Sequence, residues 1–249
     1  MKKVILSLVA ACAMTTAFAQ FNNAILNQNG NSQQAQIRQD GSYLRADVYQ
    51  ENGDGKGGNR AETQQIGSNE YIRVEQLGTS NEAFLTQLQE NTNAYSRQVG
   101  TSNLVSSVQR SNSGASAYAD FNQNGDNNRA TLDQEENGGD QGETQAVFYQ
   151  YGFGNNAFVT QRGNVNYAYI NQDGVDNTAG LSQEGFSNRA NFYQRSDNSV
   201  IQGLNGSQAS QIGSYNLLDV NQTGSYQNAS IGQNGYNNTG YISQSNNYN

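Results

Sequence analysis

Residues 150–194 read QYGFGNNAFVT QRGNVNYAYIN QDGVDNTAGLS QEGFSNRANFY Q, four blocks of eleven that each open on Gln. Counting from that Gln, Gly stands two places on, Asn five, Ala seven and an apolar residue nine; in the first block these are Gly152, Asn155, Ala157 and Val159. Ala, the apolar residue and the next Gln are spaced i, i+2 and i+4, so an extended chain turns all three to one face. The residues between them are mostly polar, and no 3.6-residue period competes with the alternation. Gly two places after the Gln, and Asn three places later, are the residue types that tolerate left-handed backbone and tight turns. Each block is therefore one short strand and one turn.

Working outward, the same Gln recurs along the chain as Gln28, Gln39, Gln50, Gln65, Gln76, Gln87, Gln98, Gln109, Gln123, Gln134, Gln150, Gln161, Gln172, Gln183, Gln194, Gln211, Gln222, Gln233 and Gln244. Fourteen of the eighteen gaps are eleven residues, and the pattern resumes after each longer one, so the long gaps read as loop insertions near 51–58, 110–116, 135–143 and 195–204. The turn glycines are Gly30, Gly41, Gly67, Gly78, Gly100, Gly125, Gly152, Gly163, Gly174, Gly185, Gly213, Gly224 and Gly235. The turn asparagines are Asn59, Asn81, Asn103, Asn128, Asn155, Asn166, Asn177, Asn188, Asn216 and Asn238.

A repeat this regular predicts an all-β parallel solenoid, with two short strands per rung of about 22 residues, about nine and a half rungs and a rise of ~4.8 Å per rung. It also accounts for a composition that would otherwise suggest disorder. The 249 residues are only 34% hydrophobic, against about 45–50% in ordinary globular domains. Two closely spaced sheets need only Ala and one larger apolar residue per strand. The inward Gln amides are predicted to bond to one another from rung to rung, because a buried amide is costly unless paired. The lack of Pro agrees, since each strand must donate to its neighbours. The first unit begins at Asn22 and the last runs from Asn238 to Gln244 without a distinct capping segment, which predicts open ends suited to stacking.

Residues 1–19 stand apart. Lys2 and Lys3, the apolar run Val4–Ala13 and the small-x-small sequence Ala17-Phe18-Ala19 form a secretory signal peptide, leaving 20–249 as one repeat domain that starts at Gln20. Val9-Ala10-Ala11-Cys12 also resembles a lipoprotein box, in which Cys12 would be acylated. With ordinary cleavage the mature chain has no Cys, hence no disulfide and no thiolate site. Loss of Lys2 and Lys3 takes the formal net charge from −8 to −10, which disfavours binding to phosphates.

The units Gln150–Gln161, Gln172–Gln183 and Gln183–Gln194 resemble the curlin repeat, Gln-x-Gly-x-x-Asn-x-Ala-x-x-x-Gln, and the resemblance covers essentially all of the mature chain. It implies a subunit of curli, the extracellular amyloid fibres of bacterial biofilms, with functions in matrix formation and surface adhesion. It also implies export through an outer-membrane secretion channel, a periplasmic chaperone, and assembly with a partner curli subunit as well as with itself. The regular, uncharged final units point to a major subunit; a minor, nucleating subunit is the alternative. The chain has more units than the family's major subunits and lacks their Gly-rich segment ahead of the repeats.

Sharper sites are weak. Gly53-Asp54-Gly55-Lys56-Gly57-Gly58 satisfies G-x-G-x-x-G, but it lies between two strands and not ahead of a helix, so it reads as a turn insertion. The loops Glu135–Asp140 and Asp126–Asn128 lack the regular Asp spacing of calcium solenoids, and no metal or other cofactor is expected. Catalysis has little to draw on: there is no His, and the carboxylates are scattered over turns. The reading from a different class is a monomeric binding solenoid or adhesin; outward Thr residues such as Thr86 and Thr160 do not recur as an ice-binding array would require. Neither nucleic-acid binding nor stable membrane insertion is expected.

Overall fold

The computed structural model describes residues 21–52, 57–112, 115–137, 142–203 and 207–246. The signal segment 1–19 with Cys12, the part 53–56 of the glycine-rich loop, and Asp140 lie outside the described residues.

The chain alternates between two parallel sheets. One holds β1 (Asn23–Asn29), β3 (Arg45–Glu51), β5 (Tyr71–Thr79), β7 (Thr92–Thr101), β9 (Ser116–Asp126), β11 (Glu143–Phe153), β13 (Tyr167–Val175), β15 (Arg189–Asp197), β18 (Leu217–Thr223) and β21 (Thr239–Ser245), in that order across the sheet. The other is built from β2 (Gln34–Ser42), β4 (Arg60–Ser68), β6 (Glu82–Glu90), β8 (Leu104–Ser111), β10 (Arg129–Glu136), β12 (Asn156–Asn164) and β14 (Thr178–Phe186), after which β16 (Val200–Gln202) and β17 (Ala209–Ser214) both pair with β14, β19 (Asn228–Ser230) pairs with β16, and β20 (Gly232–Tyr236) pairs with β17. Every pairing is parallel. The molecule is a β-solenoid of about ten turns, and at ~4.8 Å per turn its body is ~48 Å long.

The register follows the repeat. β12 sets Ala157 opposite Ala179, Val159 opposite Leu181 and Gln161 opposite Gln183 of β14, and β11 matches Ala146, Phe148 and Gln150 to Ala168, Ile170 and Gln172 of β13. A one-residue slip would turn the inward set out to water, so burial holds the register. Between the sheets lies a thin core of Ala with one larger side chain per strand, including Leu85, Phe121, Leu132, Phe148, Ile170 and Phe192, all at most 2% exposed. Phe121 and Phe148 stack face to face on adjacent strands, with centroids 4.8 Å apart and planes 15° apart.

Three of the long gaps fall between β3 and β4, β8 and β9, and β10 and β11. The fourth is placed differently from the expected 195–204. The strand β15 runs through Asp197, and the turn after it keeps the common form, with Asn198 at φ 54°. The strand is broken later, between β16 ending at Gln202 and β17 starting at Ala209, which pair with consecutive stretches of β14. Ile201 sits fully buried opposite Ala179 and Ala209 sits opposite Leu181. The apolar Ile201 fills the inward slot that counting back from Gln211 would assign to Ser207, so burial moves the excursion along the chain.

Candidate functional site: amide ladders, turn columns and outer faces

The predicted Gln residues form two continuous files. Gln28, Gln50, Gln76, Gln98, Gln123, Gln150, Gln172, Gln194, Gln222 and Gln244 run through the ten-stranded sheet, each amide nitrogen donating to the side-chain oxygen of the next at 2.7–3.0 Å. Gln39, Gln65, Gln87, Gln109, Gln134, Gln161, Gln183, Gln211 and Gln233 do the same in the other sheet at 2.7–3.2 Å. A second N–H remains on each nitrogen, and from Gln39 onward it crosses the core. Gln76 donates to the Arg60 carbonyl at 3.0 Å, and Gln98 to the Glu82 carbonyl at 2.9 Å. The amides between the two ends of each file therefore tie one rung to the next and one sheet to the other. The cross-sheet bond was not legible in the repeat, because its acceptor is a backbone atom on a strand whose identity follows only from the winding.

The recurrent Asn does something other than adopt a left-handed turn conformation. The left-handed residue is the one before it: Ser80 (φ 57°), Ser102 (φ 58°), Asn127 (φ 58°) and even Val165 (φ 58°). The Asn itself is buried and hydrogen-bonded. Asn103 donates from its side chain to the Asn81 side-chain oxygen at 3.1 Å and to the Gly125 carbonyl at 2.7 Å, while its backbone N–H donates to the same Asn81 oxygen at 3.1 Å. Asn59, Asn81, Asn103, Asn128, Asn155 and Asn177 form this column on one flank, and Asn166, Asn188, Asn216 and Asn238 on the other. A short amide, held by three bonds in a turn, explains why Asn recurs there.

The turn glycines all have φ between 101° and 144°. Gly100, at φ 118°, shows the second constraint: a Cβ there would lie 2.1 Å from the Gly125 carbonyl oxygen in the next rung. The turns stack backbone on backbone.

The second Asn column is interrupted. From rung to rung its positions carry Leu44, Glu70, Thr92, Ala117 and Thr144 before Asn166 restores it. Glu70 is 1% exposed, and neither carboxylate oxygen has a hydrogen-bond partner. Burial pushes its carboxyl up to about 8. On the same flank Glu136 replaces a turn Gly; its carboxylate accepts the Thr144 N–H at 3.0 Å, and burial raises its pKa also. Neither residue was marked by the repeat, which showed only that Asn and Gly were missing there.

The two outer faces differ. Among the described residues, ten of the eleven tyrosines in strands lie on the ten-stranded sheet, and Tyr236 at the end of β20 is the exception. Surface ion pairs such as Arg45–Asp47 and Arg110–Asp133, each at 2.7 Å, lace both faces. No group of three or more metal-ligating side chains converges among the described residues. Glu135 and Asp126 sit instead at the ends of β10 and β9, with Glu135 4.0 Å from Arg162.

Residues 146–174, spanning most of β11, all of β12 and nearly all of β13, match the family profile described as the curlin associated repeat. No curated protein and no solved structure matches the chain.

Proposed function

From the match of residues 146–174 to the curlin associated repeat, we propose that the chain is a curlin-family protein and a major structural subunit of extracellular curli-type fibres, built by its own stacking into a biofilm matrix that adheres to surfaces. The observation carrying this reading is the pair of Gln files. Every bond in them points the same way, donor on the lower-numbered strand and acceptor on the higher. A further copy, paired through the same register, would continue both files, since a row of unpaired strand groups templates another chain. Growth would then proceed by addition of an incoming chain that orders its amides against those already in place. The export channel, the periplasmic chaperone and a second curli subunit as nucleating partner belong to this proposal.

The test is negative-stain electron microscopy of purified residues 20–249, desalted from denaturant and incubated at micromolar concentration. Unbranched fibres forming without any partner are the expected result. Fibres that form only when a second curli subunit is added would assign the chain the minor, nucleating role or one dependent on it. Discrete particles ~48 Å long that never polymerise would overturn the fibre reading in favour of a binding solenoid.

A further inference from the structure

Six tyrosines on the outer face of the ten-stranded sheet form two trios, each spread over three consecutive strands. Tyr71, Tyr95 and Tyr118 lie on β5, β7 and β9, with ring centroids 5.3 and 5.7 Å apart. Tyr149, Tyr169 and Tyr193 lie on β11, β13 and β15, with centroids 5.8 and 5.3 Å apart. No two of them are directly opposite. Tyr95 pairs in register with Arg73 and Asp120, and Tyr169 with Val147 and Asn191, so each trio zigzags between positions two residues apart along the strands. The zigzag has a geometric consequence. The rings of Phe121 and Phe148, which are in register inside the core, lie nearly parallel, face on face. The tyrosine rings are inclined at 42–76°, which turns ring edges toward the neighbour. They are also open to reagents: five are half-buried and Tyr193 is 39% exposed.

We propose that these trios are an oxidative cross-linking site, at which hydrogen peroxide, acting through a one-electron oxidant of the haem-peroxidase class, joins tyrosines of neighbouring strands as dityrosine. Each phenol gives up one electron and one proton to become a phenoxyl radical. Two radicals on adjacent strands then form a carbon–carbon bond between their ortho positions. Each ring regains its aromaticity as the ortho hydrogen shifts to the phenolic oxygen. The peroxide accepts the two electrons and two protons and leaves as two waters. The rungs hold the reacting rings within about 6 Å before oxidation begins, so coupling needs little further ordering, as in any reaction between pre-positioned groups. The products link residues 20 to 24 apart in sequence, fastening β5 to β7 to β9 and β11 to β13 to β15. The region 20–249 contains no Cys, so a tyrosine link is a covalent staple open to it where a disulfide is not. The inference rests on the solenoid alone and stands whether or not the chain forms fibres.

The test treats folded 20–249 with horseradish peroxidase and hydrogen peroxide, then maps linked tryptic peptides by mass spectrometry. Arg73, Arg97, Arg110, Arg129, Arg162 and Arg189 separate the members of each trio onto different peptides. Tyr71–Tyr95, Tyr95–Tyr118, Tyr149–Tyr169 and Tyr169–Tyr193 should dominate, and should fall at least fivefold when the chain is oxidised in guanidinium. Replacing the central members together (Tyr95→Phe with Tyr169→Phe) keeps the ring volume and should abolish all four. Replacing Tyr226, which is 74% exposed, with Phe should leave them unchanged. Oxidised wild-type chain should also hold its β-sheet circular dichroism in denaturant that unfolds the oxidised double variant. Links distributed by exposure, with Tyr226, Tyr236 and Tyr241 foremost, or equal unfolding of the two oxidised chains, would overturn the proposal.

Discussion

Glu70 brings an ionisable group into a column otherwise held by amides and small or apolar side chains. Where Asn103 and its kin offer an amide to the carbonyl of the next rung, Glu70 places a carboxyl without a well-formed hydrogen bond in a site that is 1% exposed. Burial lifts its pKa from 4.5 to about 8, opposed weakly by the Ile66 backbone. A carboxyl raised in the folded state stabilises that state fully below its unfolded pKa and loses the contribution as pH rises toward the folded value. Stability should therefore fall between pH 4.5 and 8. Glu70→Gln removes the charge at nearly constant shape, and guanidinium unfolding at pH 5 and pH 8 should show a smaller difference between the two than the wild type does. Part of the slope remains, because burial also raises Glu136 and Asp120. An unaltered slope would place the titration elsewhere. At Gly100 the constraint is steric. Gly100→Ala meets both a φ of 118° and a carbonyl 2.1 Å from its Cβ, and should cost at least about 2 kcal/mol by denaturant midpoint.

At the scale of the strand, the inward apolar position carries one recurring defect. Thr63, Ser96 and Ser107 occupy it on β4, β7 and β8, and each buries a hydroxyl that finds no partner. Thr63→Val exchanges that hydroxyl for a methyl of matching shape and should raise stability by about 1 kcal/mol, read as a higher guanidinium midpoint with unchanged slope; a lower midpoint would show that the hydroxyl is satisfied in solution. The eleven-residue spacing made the strands, their faces, their parallel order and the Gln files legible, because side-chain direction in a strand depends only on parity. It was silent on what depends on the winding. The acceptor of the second Gln N–H, the true role of the turn Asn and the position of the excursion before Ala209 each require knowing which residue lies one rung away or across the core. The tyrosine zigzag was hidden for the same reason, since neighbouring members lie 20 to 24 residues apart and at points in the unit two residues different.

For the whole molecule, the uniform sense of the Gln files makes the two edges chemically inequivalent. The edge carrying β1 and β2 has Gln28 and Gln39, whose side-chain oxygens receive no Gln donor; at the other edge Gln233 and Gln244 donate only to the Leu217 and Asn228 carbonyls. A fibre assembled through these files is polar, and seeded growth followed by two-colour fluorescence should show different rates at its two ends. Equal rates would indicate addition that does not read the files. The Asn columns run in the opposite sense, with the higher-numbered residue donating to the lower, as Asn81 does to Asn59 at 3.2 Å and Asn188 to Asn166 at 3.2 Å. Aligned amide dipoles in a helix sum to a partial charge at each terminus, and the backbone dipoles of a sheet largely cancel. In this solenoid the Gln amides align through every rung, whereas a column Asn donates in both senses, as Asn81 does to Asn59 at 3.2 Å and to the Gly100 carbonyl at 2.9 Å. The Gln files alone therefore give a filament its electrical sense, with amide oxygens facing out at one tip and amide hydrogens at the other.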